Sequence, residues 1–192
     1  LFYVWVKITL IRKKIDETIL KPNNFNNFPI FICIILLLTT VVTGAFVAGT
    51  KAGLAYNNFP LMGDSLLPPV LLETNSFSIS YLFNDIGFIQ FFHRILASAT
   101  LFFIILTCFY LLKSSSSKQT NKLSKFLLAA IILQYSLGII ILKFYVPISL
   151  GVMHQLGSLI VISLLILILG ENMSMGVKKN SQYTFRLIKN SY

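Results

Sequence analysis

The sequence contains few charged residues and few residues that bind metals or form disulfides. Charged side chains make up 11% of the 192 residues, whereas soluble domains carry roughly a quarter, and hydrophobic residues make up 56%, with a mean hydropathy of +0.80. The two cysteines, Cys33 and Cys108, lie in apolar runs, where a thiol acts as a small hydrophobe. This composition excludes a disulfide framework, a zinc-finger spacing and an ordinary soluble domain, and it predicts an integral membrane protein.

The apolar residues are gathered into four stretches that are long enough to span a bilayer as helices. We therefore predict an all-α membrane protein with a four-transmembrane-helix bundle over 29–170 and an outer loop over 49–85. The opening LFYVWVKITLI is apolar but too short to cross, so we interpret residues 1–28 as the end of a preceding span and a basic loop, with 171–192 as a basic tail. The four predicted spans are Pro29–Ala48, Ile86–Leu112, Phe126–Leu142 and Pro147–Leu169.

Basic residues in the short loops predict the orientation, because they favour the cytoplasmic side. They precede the first span, separate the second from the third, and follow the fourth, whereas the loop between the first two spans holds only Lys51 against three acidic residues. Both ends of the bundle are therefore predicted to be cytoplasmic and the long loop external. The net charge of +10 is explained by these orientation signals, and since no basic face is interleaved with exposed aromatics we expect no nucleic-acid partner.

Two ionisable side chains stand out because such groups are costly inside a span. His93 and His154, the only histidines in the chain, each lie about seven residues from the outer end of a predicted span, roughly 10 Å deep at about 1.5 Å per residue. Small or polar residues lie at i−3 and i+4 of each histidine, and these would let a flat ligand approach the helix. They are Gln90 and Ala97 for the first histidine, and Gly151 and Ser158 for the second.

The spans without histidine carry small-residue segments, TGAFVAG at 43–49 and SLG at 136–138, of the kind that allows close helix packing in membranes. The order predicts two similar hairpins that present one histidine each to a shared interior. Two imidazoles without a nearby carboxylate or thiolate favour bis-histidine ligation of haem over a bare metal ion. The alternatives are hydrogen bonds to neighbouring helices or a proton relay.

Three further polar residues are candidates for the same site. Arg94 either pairs with a haem propionate or extends to the lipid headgroups, and Gln155 either contacts the ligand or makes a packing hydrogen bond. Lys51 lies at the predicted mouth of the pocket, in the segment AGTKAGLAYNNFPLMGDSLLPP at 48–69. That segment is rich in turn residues, and we consider it either a lid over the outer end of the bundle or an inert interfacial loop.

Over about residues 30–170 the chain resembles the C-terminal half of haem A synthase, in the form found in mitochondria and proteobacteria. The segments that carry the resemblance are GAFVAGTKAGLAYNNFPLMGD, QFFHR, LGIIIL and VPISLGVMHQ. The resemblance implies an eight-span protein of two four-helix halves, which oxidises the C8 methyl of haem O to a formyl group. It also implies that the C-terminal half holds a haem b cofactor, whose ligands would be His93 and His154.

In this family the N-terminal half contains the catalytic pocket, with its own histidine pair and a glutamate. We expect the corresponding residues outside this sequence, so that haem O, and through it haem O synthase and cytochrome oxidase assembly, would be partners of the complete protein. Some bacterial relatives carry a cysteine pair in the outer loop, which this sequence lacks. The expected location is the bacterial inner membrane, or the mitochondrial inner membrane in a eukaryote, with lipid and a second copy of the chain as further partners.

Two other functions fit the same residues. One is a stand-alone b-type cytochrome or haem-binding module that oxidises no substrate. The other is a small transporter in which the histidines relay protons.

Overall fold

The computed structural model of the chain describes residues 27–74, 78–114 and 117–189. It contains six helices in the described ranges: α1 (Phe28–Gly49), α2 (Pro69–Thr74), α3 (Tyr81–Asn84), α4 (Ile86–Ser114), α5 (Lys118–Lys143) and α6 (Ile148–Lys189), with a 3₁₀ turn at Ala52–Leu54. The interpretation of residues 1–26 lies outside these ranges.

Four of the helices are long and apolar enough to cross a membrane: α1, α4, α5 and the part of α6 from Ile148 to Met173. The predicted all-α bundle with four transmembrane helices is therefore confirmed. Four such helices make the chain a multi-pass membrane protein.

Two helices extend beyond their predicted spans. Helix α5 begins at Lys118 rather than Phe126, because the Ser117 hydroxyl caps it by accepting the backbone N–H of Thr120 at 3.3 Å. Its first turns are polar and so fall outside a hydropathy window, although Thr120 and Ser124 are buried. Helix α6 continues past the predicted Leu169 to Lys189, so the region interpreted as a basic tail is helical up to that residue.

The four long helices surround a common interior, with α1 packing on α4 and α6, and α5 packing on α4 and α6. Polar side chains join them at both ends. At the outer end Asn57 donates to the carbonyl of Leu142 at 2.9 Å, which ties the long loop to the end of α5. At the opposite end Thr120 donates to Asn172, and Asn172 to Asn27, both at 3.3 Å. The outer loop and the α5–α6 turn therefore lie on the same side, as predicted.

The close-packed apolar core occupies the half of the bundle away from the long loop. The Cys33 thiol and the Thr107 hydroxyl lie 3.2 Å apart within it, and Cys108 is fully buried there. Both cysteines are unpaired and pack as small hydrophobes, as predicted. The core consists of Ile30, Cys33, Leu37, Ile104, Cys108, Leu111, Leu127, Ile131, Val161, Leu165 and Ile168.

Candidate functional site

The outer half of the bundle is packed differently from the inner half. A cap of buried residues closes this end: Ala52 and Met62 from the outer loop, and Phe88 and Ile89 from the start of α4. Between this cap and the core, each long helix passes through a stretch of nine to thirteen residues in which no hydrophobic side chain is buried: residues 38–49, 91–103, 132–140 and 148–160. At about 1.5 Å per residue this band is roughly 14–20 Å tall. Protein interiors are close-packed, and this band is the part of the bundle that buried apolar side chains do not fill.

His93 lies within this band and its ring is seated against α1. The nearest approach is at Gly44, where an added Cβ would lie 3.2 Å from Cε1 of the ring. The Nδ1 atom lies 3.0 Å from the hydroxyl oxygen of Thr43. No described residue hydrogen-bonds to Nε2, and Nε2 is absent from the buried polar atoms that lack a partner. Nε2 is therefore accessible and available to a ligand.

His154 is seated in the same way against α5. An added Cβ at Gly138 would lie 3.1 Å from Cε1 of the His154 ring. One turn earlier on the same face, the Gln134 side chain packs against Gly157 and donates to the backbone carbonyl of His154 at 2.8 Å. The Nδ1 atom is buried and has no hydrogen-bond partner among the described residues. As in His93, Nε2 is the ring nitrogen that remains accessible.

The two histidines repeat one arrangement on two hairpins. Each ring packs on a glycine of the helix that packs beside it, α4 on α1 and α6 on α5, as the small-residue segments predicted. Within the described ranges no group of three or more His, Cys, Asp or Glu side chains could hold a metal ion. Two imidazole nitrogens alone would suit a metal whose other ligands are supplied by a macrocycle.

Arg94 and Gln90 hold the outer loop onto α4. The Arg94 guanidinium donates to the carbonyls of Leu61 at 3.0 Å and Tyr56 at 2.8 Å, and its carbon lies 5.9 Å from the centre of the Phe59 ring. The Gln90 amide donates to the Tyr56 carbonyl at 3.0 Å. Arg94 Nε is buried and has no hydrogen-bond partner among the described residues. Pairing of Arg94 with a haem propionate stays a prediction, because the contacts that the structure shows are those to the loop.

The remaining candidates lie at the rim or on the outside. Lys51 is exposed and adopts a left-handed backbone conformation, with φ of 56°, and Gln155 is also exposed; their roles stay predictions. Sequence reasoning missed Lys143, which lines an outer cavity of about 480 Å³ together with loop residues 57–61 and Tyr145. Lys143 directly follows the predicted third span, and the contact between Asn57 and Leu142 brings the loop beside it.

Comparison with known proteins assigns the chain to a family. The family described as "COX15-CtaA: Cytochrome oxidase assembly protein" matches residues 1–166. The haem A synthases of Rickettsia akari (strain Hartford) and Rickettsia felis are each 36% identical to it over 160 residues, which is 82% of this chain and 47% of those proteins. That of Rickettsia canadensis is 34% identical over 170 residues, 86% of this chain and 48% of its own length.

The chain thus spans about half the length of the curated relatives it matches. No solved structure matches it. The family match covers α1, α4 and α5 completely and α6 as far as residue 166. It includes both histidines and the outer loop. The chain therefore belongs to the COX15-CtaA family of cytochrome oxidase assembly proteins.

Proposed function

We propose that this chain is the haem b-binding, electron-carrying half of a haem A synthase, in which His93 and His154 would hold the iron of one haem through their Nε2 atoms. The observation that carries the proposal is the band at mid-bundle, which lacks buried apolar side chains and is faced by two seated imidazoles with free Nε2 atoms. The Rickettsia relatives are haem A synthases, which supports haem A synthesis as the activity of the complete protein. In that activity a methyl group of haem O becomes the formyl group of haem A.

The described residues fit a haem better than a bare ion. A haem iron needs only two further ligands because the porphyrin supplies four, and two histidine nitrogens without a third protein ligand meet that need. Seating each ring on a glycine brings the histidine helix close to its neighbour and restricts rotation of the imidazole. Restricted rings lose little conformational freedom when they bind, which favours ligation.

When bound, haem supplies a one-electron couple, and the protein decides how that couple is used. Core residues on the inner side keep the site dry from the cytoplasm, and the anchored loop closes it from outside. This closure is the lid function that we propose for the loop. Haem O, cytochrome oxidase assembly and haem O synthase are proposed partners of the complete protein in the inner membrane, and electrons would pass between this half and the half that holds the substrate.

The visible spectrum of the purified chain tests this proposal. We expect a Soret band, and alkaline pyridine extraction is expected to give the spectrum of haem b. A proton-relaying transporter would purify without any Soret band. A colourless protein from haem-replete cells, folded by circular dichroism, would therefore contradict the proposal and favour the transporter.

Residues 1–192 alone are not expected to convert haem O to haem A. Both histidines of the sequence are used as ligands in our proposal, whereas the family resemblance implies a second histidine pair and a glutamate for the chemistry. The measurement is haem extraction and chromatography from cells that have this chain as their only synthase. Haem A in that extract would contradict this prediction.

The alternative, a stand-alone b-type cytochrome, predicts the same spectrum but no contribution to haem A. Co-expression with the N-terminal half of a Rickettsia relative separates the two functions. Haem A formed only when both pieces are present supports the synthase. If the pair makes no haem A although the intact relative does, the cytochrome is favoured.

Arg94→Ala is expected to weaken haem retention about tenfold or more. The substitution removes two hydrogen bonds that hold the loop and the unpaired Nε donor, and a charge-assisted hydrogen bond contributes about 1.5–3 kcal/mol, where about 1.4 kcal/mol corresponds to a factor of ten. Haem titration at equal protein concentration measures the effect.

Lys51→Ala is the matched control, because Lys51 is an exposed basic residue of the loop that Arg94 contacts. It should change haem affinity only a few-fold, since exposed charges contribute about 0–1 kcal/mol. If Arg94→Ala binds haem as tightly as the parent, Arg94 does not belong to the site and serves only the loop or the headgroups.

A further inference from the structure

The hydroxyl of Thr43 has two neighbours whose roles can be assigned. It donates to the backbone carbonyl of Thr40 at 3.0 Å, and it lies 3.0 Å from Nδ1 of His93. A threonine hydroxyl has one hydrogen to donate and lone pairs that accept. The arrangement that satisfies both contacts directs the hydroxyl hydrogen to the Thr40 carbonyl and lets the oxygen accept from Nδ1–H. In that arrangement the proton of the neutral His93 ring is on Nδ1, and the lone pair is on Nε2.

The other ring nitrogen of His93 has no such neighbour. Nothing in the described ranges hydrogen-bonds Nε2, and Nε2 is not among the buried polar atoms that lack a partner. The arrangement thus favours one tautomer by accepting the proton on one nitrogen and leaving the other nitrogen unprotonated.

The second histidine lacks such a partner. Gly138 takes the place of Gly44 beneath the ring of His154, and the residue before it is Leu137, whereas Thr43 precedes Gly44. The leucine side chain offers no hydrogen-bonding group, and among the described residues Nδ1 of His154 is buried without a partner. Both histidine rings therefore pack on a glycine, but only His93 has a hydrogen-bond partner for Nδ1 among the described residues.

We propose that Thr43 is a positioning residue, which holds His93 in the Nδ1–H tautomer and thereby tunes the reduction potential of the haem bound in this half. The proposal rests on the proposed function. A hydrogen bond from Nδ1–H to an acceptor makes Nε2 a more basic ligand, and a more basic ligand stabilises ferric iron relative to ferrous iron. Thr43 therefore lowers the potential, and its removal raises it.

The test is a redox titration of the haem-loaded chain, followed by its visible spectrum. Thr43→Val keeps the shape of the side chain but loses the hydroxyl. It is expected to weaken binding of ferric haem relative to ferrous haem about tenfold, the lower end of the effects seen when a hydrogen-bond partner of a metal ligand is lost. The midpoint potential would then rise by ~59 mV for one electron. Thr43→Ser, which keeps the hydroxyl, is expected to restore the parent potential. If Thr43→Val does not fold, Thr43→Ala removes the same hydroxyl and is expected to give the same direction of shift.

Thr39→Val is the matched control. Its hydroxyl is exposed and bonds only to the carbonyls of Ile35 and Leu36 in its own helix, so the potential should equal that of the parent. If the parent binds haem and loss of the Thr43 hydroxyl leaves the potential unchanged, this inference alone is overturned. An equal shift of the potential in Thr39→Val would overturn it as well. A parent that binds no haem overturns the proposed function, and this inference with it.

Discussion

Replacing His93 or His154 with alanine is expected to abolish the low-spin haem spectrum of the purified chain. Each histidine presents an accessible Nε2 into the mid-bundle band, and the described residues offer no third His, Cys, Asp or Glu to complete a metal site. Loss of one imidazole therefore leaves at most a five-coordinate iron. The measurement is the visible spectrum and the haem content of each variant at equal protein concentration.

Controls for this prediction come from the neighbours of the histidines. Ile95→Ala and Met153→Ala shorten side chains that are 47% and 56% exposed, so both variants should keep the parent spectrum. Free imidazole added to His93→Gly is expected to restore the low-spin bands, since it replaces the lost ligand and not a packing contact. Unchanged low-spin spectra in both alanine variants would show that these histidines are not the ligands.

Valine at Gly44 or Gly138 is expected to remove most of the bound haem. A Cβ at these positions would lie 3.2 or 3.1 Å from Cε1 of the facing histidine ring, and the two further methyl groups of valine require more space than the ring leaves. The ring would rotate or the helices would separate, and Nε2 would leave the position of the ligand. Alanine at the same positions should cause a smaller loss, because a shift of a few tenths of an ångström accommodates one methyl group. Haem content after purification, with circular dichroism as a check on folding, measures this effect.

Gly49→Val is the control for the glycine variants, because a Cβ at Gly49, on the same helix as Gly44, meets nothing within 4 Å. Valine there should leave haem content unchanged. If Gly44→Val and Gly49→Val retain equal haem, the contact between the His93 ring and Gly44 of α1 does not orient that ring for haem binding.

The sequence predicted those parts of the fold that depend on apolar runs. Long stretches of apolar residues form helices in a bilayer, since the backbone has no other hydrogen-bond partners there. All four predicted spanning helices were found. The start of α5 at Lys118 was missed because its first two turns are polar and lie outside the apolar window. Helix propensity and the Ser117 cap extend the helix where hydropathy gives no signal.

At the site, sequence reasoning found the histidines but not all of what surrounds them. A lone histidine in an apolar span stands out because it is costly, and small residues on the neighbouring spans indicated close approach. Which residue of α1 faces Nδ1 depends on the rotation of two helices about their axes, so Thr43 could not be distinguished from Thr39 or Thr40. The same is true of Gln134, whose contact with the His154 carbonyl depends on how α5 and α6 pack. The loop contacts of Arg94 depend on the path of a long connection that no periodicity encodes.

Electron paramagnetic resonance of the oxidised, haem-loaded chain, combined with the ratio of haem to protein, is the sharpest test of haem binding by His93 and His154. We expect one haem per chain and a low-spin ferric signal of two neutral imidazole ligands, which disappears in either histidine variant. A purely high-spin signal, or one haem shared by two chains, would contradict ligation of the iron by His93 and His154 of the same chain.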